Sequence, residues 1–187
     1  MYYSITAKKD ATIYERSESL NAGIDEILEI QKTVSSSNTV NIYNSRILIK
    51  YDLSSISKSM VDGNIPNIAH PESSASVFLK LYTTRAASLS YKYGIEAYPI
   101  SQSWDMGQGR ATQKKITPGG AISFEEEGVS WKFRDGKDYF GNTWSTTPAN
   151  FSPGTTGSYS TTPGGATWYV SSSTEQYVST EKFDYEK

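Results

Sequence analysis

The sequence contains no cysteine, a single histidine, and no long apolar run. Without cysteine there can be no disulfide, thiolate nucleophile or zinc–thiolate site, and the redox compartment stays open. No apolar stretch approaches the length of a membrane span, and the N-terminus lacks the basic-then-apolar layout of a secretory signal. No membrane is therefore expected as a partner. An excess of one charge is also missing: 18 Lys and Arg against 20 Asp and Glu give a net charge of -2. With its basic residues scattered, the chain is not expected to bind nucleic acid. Aliphatic residues are scarce too. Leu, Ile, Val and Phe fill 35 of 187 positions, slightly under the share at which disorder is suspected. The small net charge argues against disorder, because little self-repulsion holds the chain open.

What is abundant is aromatic. The 14 Tyr and 4 Trp supply apolar area with a polar handle on each ring. A chain of this length suits one domain over 1–187 with an aromatic-rich core.

The strongest local pattern is Ser45-Arg46-Ile47-Leu48-Ile49-Lys50-Tyr51-Asp52-Leu53. Its period of two predicts a strand with Ile47, Ile49, Tyr51 and Leu53 facing the core. Burying Ile47 or Ile49 contributes about 1.5–3 kcal/mol each before entropy, so a polar residue there is the expected worst substitution. Leu48, on the otherwise polar face, implies that another segment covers part of that face. Further strands are expected over 2–14 in two pieces, over Glu26–Thr33, at Val40 and Ile42, over Ala75–Tyr82 with Val77, Leu79 and Leu81 inward, and over Tyr91–Ala97. A short helical turn capped by Ser54 is expected between them. Turn-bounded strands without helical runs indicate an all-β fold, an antiparallel β-sandwich of jelly-roll type.

Composition changes after Pro99. Residues 101–173 hold every Trp and most of the Gly, and Thr-Pro-Gly-Gly occurs at both 117–120 and 162–165. Pro-Gly suits the central positions of a type II turn, so this region reads as long loops. Only Gly128–Phe133 and Ala166–Val170 have the character of short strands there. Trp104, Trp131, Trp144 and Trp168, with Tyr139, Tyr159 and Tyr169, are the candidate functional side chains. Such rings can pin loops onto the sandwich, anchor a protein interface or stack on sugars.

Catalytic chemistry has little to stand on. His70 lies in a polar connector beside Pro71, with no nucleophile or orienting partner in its pattern. Glu125-Glu126-Glu127 could supply paired carboxylates, but adjacent strand residues point to opposite faces and a lone acidic run is ordinarily a solvated turn. Asp135–Asp138 and Asn21–Asp25 are the nearest approaches to a calcium loop, and neither has its alternating ligands. Gly107-Gln108-Gly109 lacks the third glycine of a nucleotide fingerprint. No enzyme activity or cofactor is expected, with calcium at one of these loops as the lesser alternative to ordinary turns.

Asp10-Ala11-Thr12-Ile13-Tyr14, Asn21-Ala22-Gly23, Ser45–Ser54 and Ala75–Tyr82 together resemble the DNRLRE-type β-sandwich domain, in the same order and at similar spacing. Ser103-Trp104-Asp105-Met106-Gly107 through Gly109-Arg110, followed by Gly128-Val129-Ser130-Trp131, is similar to the bacteriophage versions of that domain. The resemblance covers about the first hundred residues and, more loosely, the Trp loops. Such domains occur in phage structural proteins and in secreted bacterial proteins, some of them carbohydrate-binding. The resemblance thus implies a virion component that docks on tail, neck, fibre or head proteins or on copies of itself, with glycan recognition as the alternative. Family sandwiches are usually completed by a later strand with Asp-Val-Thr and a Trp-containing aliphatic stretch. This sequence reaches Phe183–Lys187 without one, so either further residues or a neighbouring chain is expected to cover that edge.

Overall fold

A computed structural model describes residues 3–37, 39–67, 78–86, 92–112, 115–116, 122–123, 127–136, 141–145, 156–159, 164–171 and 179–184. Among them the secondary structure is mostly strand, with antiparallel pairing throughout and one short helix. The chain is all-β.

A three-stranded sheet organises it. Strand β1 (Ala7–Tyr14) and strand β2 (Lys32–Ser37) flank the long β3 (Thr39–Tyr51) in the order β1-β3-β2. The two partners are staggered. β1 pairs with the second half of β3, from Tyr14 opposite Ser45 to Ala7 opposite Tyr51, with a register irregularity between Ala7 and Lys9. β2 pairs with the first half, from Ser37 opposite Thr39 to Lys32 opposite Asn44. The expected strand over Glu26–Thr33 is thus displaced towards the C-terminus. Residues 24–31 instead cross the sheet's face, where Thr12 Oγ1 accepts the Glu29 amide at 3.0 Å and Ser45 Oγ bonds both Glu29 O and the Gln31 amide.

This crossing corrects the expected core. Directly opposed residues share a face in an antiparallel pair, so Ala11 with Leu48 and Ile13 with Arg46 form one face. That is the face turned into the core, where Leu48 is 3% exposed and Ala11 and Ile13 are fully buried. Ile47, Ile49 and Tyr51 lie on the other face and are only partly buried, and Leu53 is 58% exposed. The sequence pattern misassigned the inward face because both faces are covered, one by the Trp loops and the other by residues 24–31. Leu79 and Leu81 are about half exposed in a segment, 78–82, that is not a strand. Val77 lies outside the described residues.

Helix α1 (Ser54–Val61) follows the sheet and buries no residue. Its first amide is held by Asp52, whose Oδ1 accepts Ser54 N–H at 3.0 Å. Asp52 rather than Ser54 therefore supplies the side-chain contact at the helix start. Strand β4 (Lys92–Ala97) lies where a strand was expected, and it pairs with β11 (Ser179–Asp184), a C-terminal strand that the sequence reading did not include. The loop region holds short hairpins: β5 (Lys115–Ile116) with β6 (Ile122–Ser123), β7 (Phe133–Asp135) with β8 (Asn142–Thr143), and β9 (Thr156–Tyr159) with β10 (Trp168–Ser171). Gly128–Lys132 is irregular, and the expected strand there begins only at Phe133.

Candidate interaction surface

Of the candidate aromatic residues, the four tryptophans are packed inside. Trp104, Trp131, Trp144 and Trp168 are all buried, and the first three share one cluster with Ala11, Ile13, Leu48, Val129 and Ala166. Each is fixed by its backbone or its ring nitrogen. Trp144 Nε1 donates to Ser130 O at 3.0 Å, and Trp131 O accepts the Gly165 amide at 2.6 Å. Lys9 Nζ sits 4.3 Å from the Trp104 ring centroid and donates to Trp104 O. Burial, and then the neighbouring Lys50, lowers the Lys9 pKa from its ordinary value. Trp168 stacks at a tilt on Tyr98, with centroids 5.2 Å apart. Tyr139 lies outside the described residues, and Tyr159 and Tyr169 fall in β9 and β10.

Arg46 fills the space between two of these rings. Its guanidinium carbon is 4.8 Å from the Trp131 centroid and 5.1 Å from the Trp168 centroid, and Nη1 donates to Gly165 O. Burial lowers its pKa, with Glu15 opposing. Gly164 and Gly165 turn beneath it at φ 90° and 77°. A Cβ on Gly165 would meet Arg46 Nη1 at 2.7 Å and the Trp131 ring at 2.8 Å, so the Gly-Gly pair is required by close approach. The cation serves packing.

The Asn-x-Gly signal is a second internal tie. Asn21 is fully buried, and its Nδ2 donates to Met106 O and Val129 O, both at 2.8 Å. Its Oδ1 accepts the Gly109 amide at 2.6 Å and the Gly23 amide at 3.3 Å. Both amide donors and both acceptor sites are thereby used. Sequence reasoning assigned Asn21 to a turn. The available signal was the set of glycines at 107, 109 and 128 in the Trp loops, which leave room for a distant side chain.

Of the catalytic and calcium candidates only some fall among the described residues. Glu127 is exposed, while His70, Glu125 and Glu126 lie outside the described residues. Asp25 Oδ2 accepts the Ala111 amide at 3.1 Å, and Asp135 Oδ1 accepts the Asn142 amide and side chain. Among the described residues no three His, Cys, Asp or Glu side chains gather as a metal site, and no helix is long and apolar enough to cross a membrane.

What faces outward is different. On the β2–β3 hairpin, Val34 and Ile42 are directly paired, 58% and 48% exposed, and on the face that carries Arg46 and Leu48 further along β3. Ile27, Ile30, Val61, Phe78 and Tyr82 are exposed as well. Beside the hairpin, on the opposite face, a groove of about 420 Å³ is lined by residues including Tyr14, Arg16, Glu29, Gln31, Tyr43 and Asn44. Tyr14 donates to Glu29 Oε2 at 2.9 Å within it, and burial followed by this carboxylate raises the phenol's pKa above its ordinary value. No family model matches the chain, and neither a curated protein nor a solved structure matches it.

Proposed function

We propose that this chain is a non-enzymatic structural component of a bacteriophage virion, a DNRLRE-type β-sandwich module that docks on neighbouring tail, neck, fibre or head proteins. In this reading the β1-β3-β2 sheet is one layer and β4 with β11 belongs to the other. The supporting observation is the distribution of apolar side chains. The Trp rings are consumed internally, while Val34 and Ile42 stand exposed as a pair on the β2–β3 hairpin, and Ile27, Ile30 and Val61 are exposed elsewhere. An exposed apolar pair marks a contact surface where it belongs to a contiguous patch. The test is to purify particles from a genome that encodes the chain and to locate it with labelled antibody in electron micrographs. A defined position at fixed copy number is expected. A chain found only free in the lysate overturns the proposal.

The groove beside the hairpin favours a second reading, as a carbohydrate-binding module. Tyr43 offers a partly exposed ring there, with Arg16, Glu29, Gln31 and Asn44 around it for hydroxyl groups. The tryptophans do not carry this reading, because they are buried. Glycan-array binding that disappears in Tyr43→Ala supports it, and a blank array removes it.

A further inference from the structure

We propose that the open half-edge of β3, Thr39–Tyr43, pairs antiparallel with the same segment of a second copy of this chain, giving a two-fold dimer with one continuous four-stranded arm. This deepens the docking reading by naming one partner, and it rests on that reading only in that both use the hairpin.

The stagger of the sheet creates the edge. β1 accompanies β3 only from Ser45 onwards, and β2 only as far as Asn44. On the β1 side the ladder ends where Glu15 leaves: its amide donates to Asn44 O at 3.0 Å, and its carboxylate takes the Asn44 amide at 2.8 Å and the Asn44 side chain at 3.0 Å. Among the described residues nothing pairs with Thr39–Tyr43 on that side. Backbone groups alternate along a strand. Since Asn44 points its amide and carbonyl towards β1 and Ser45 points its amide to Gln31 O on the β2 side, Ile42 and Val40 present theirs to the open side. The arm itself is two strands wide, which is marginal in water without a third.

The sequence of this edge decides the partner. Thr39-Val40-Asn41-Ile42-Tyr43 has no charge, no proline and a continuous register, so the edge charges, prolines and bulges that ordinarily block edge pairing are missing from these five residues. β1 differs, with Lys8, Lys9, Asp10 and a register irregularity. Antiparallel pairing of a segment with itself is closed by a two-fold axis, and a charge near that axis would face its own copy. This edge has none. Centring the axis on Asn41 sets Ile42 opposite Val40 of the second copy as the hydrogen-bonded pair. The same axis widens the row that begins with the exposed Val34 and Ile42.

The absence of native cysteine makes the test clean. A non-hydrogen-bonded antiparallel pair brings Cα atoms to about 4.5 Å, within disulfide reach. Asn41→Cys is therefore expected to form a disulfide-linked dimer under mild oxidation, while Ser55→Cys on the exposed helix does not. Light scattering of the unaltered chain is expected to give twice its 20.7 kDa mass at micromolar concentration. Asn41→Lys, at an exposed position, sets like charges across the axis and should weaken the dimer at least tenfold while leaving Trp fluorescence unchanged. A monomer up to tens of micromolar, with no cross-linking beyond the Ser55→Cys control, overturns the inference. Cross-linking only to a different protein overturns the choice of a second copy. A monomer found in particles defeats this inference alone; a dimer absent from particles defeats the virion reading alone.

Discussion

Asn21 Oδ1 accepts the Gly109 amide at 2.6 Å across a sequence separation of 88 residues, while the same side chain's Nδ2 holds Met106 O and Val129 O. One amide thus joins the turn after β1 to two loops of the Trp region, and the glycines around it leave space for nothing larger. A Cβ on Gly107 would stand 2.5 Å from Asn21 Oδ1, and one on Gly128 would stand 2.5 Å from Gly107 Cα. Asn21→Asp keeps the shape but turns both donors into an acceptor facing two carbonyls. We expect a loss of roughly 3 kcal/mol or more, the range for an unsatisfied buried group that also carries charge. Urea denaturation followed by Trp emission measures it. A loss below about 1 kcal/mol would mean that the loops are held by other contacts.

Leu48→Ala should cost about 2–4 kcal/mol, because Leu48 closes against Ala11 and the Trp cluster. Ile49→Ala, on the partly buried face, should cost about half as much, and Leu53→Ala should fall within about 0.5 kcal/mol of the parent chain. Thermal or urea midpoints of the three variants rank the faces of β3 directly. A reversed order would restore the alternation seen in the sequence as the guide to the core.

That ranking marks where the sequence was legible. The existence of β3 and β4 could be read from alternation, since β-branched and aromatic residues at period two have few other homes. Which face of β3 points inward could not, because residues 24–31 cover the second face through Thr12 and Ser45 hydroxyls rather than through an apolar stripe. The Trp loops stand out by composition, and pinning loops onto the sandwich is one of the roles that such rings in such loops can take. Their contact with Arg46 was hidden, because a lone arginine in a strand ordinarily points to solvent. The candidate surface was the least legible part. Val34 and Ile42 look like core residues in sequence, and only the stagger of β1 and β2 leaves them outside.

Arg46→Lys should destabilise by about 2 kcal/mol. A lysine keeps the charge but loses the flat stack between Trp131 and Trp168 and the fork that reaches Gly165 O. Arg46→Ala should cost more, roughly 3–4 kcal/mol, since the gap and the unmatched carbonyl remain together. Native-state Trp emission should shift to the red in both variants as water reaches the rings. Unchanged emission together with an unchanged midpoint in Arg46→Lys would show that the stacking contributes nothing measurable.

Tyr14 supplies a pH-dependent prediction. Burial, reinforced by the hydrogen bond to Glu29, raises its phenol pKa in the folded chain above the ordinary value near about 10. A raised folded pKa stabilises the fold fully below the unfolded value, and that contribution is lost as pH rises through and above it. Tyr14→Phe should therefore cost about 1 kcal/mol at pH 7, where only the hydrogen bond to an exposed carboxylate is removed. Between about pH 9 and pH 11 the parent chain should lose stability that the variant keeps, because unfolded Tyr14 ionises there and folded Tyr14 does not. The two stability curves should converge and then cross. Denaturation series at closely spaced alkaline pH values measure the gap, and a gap that stays constant to pH 11 would place the Tyr14 hydroxyl in open solvent.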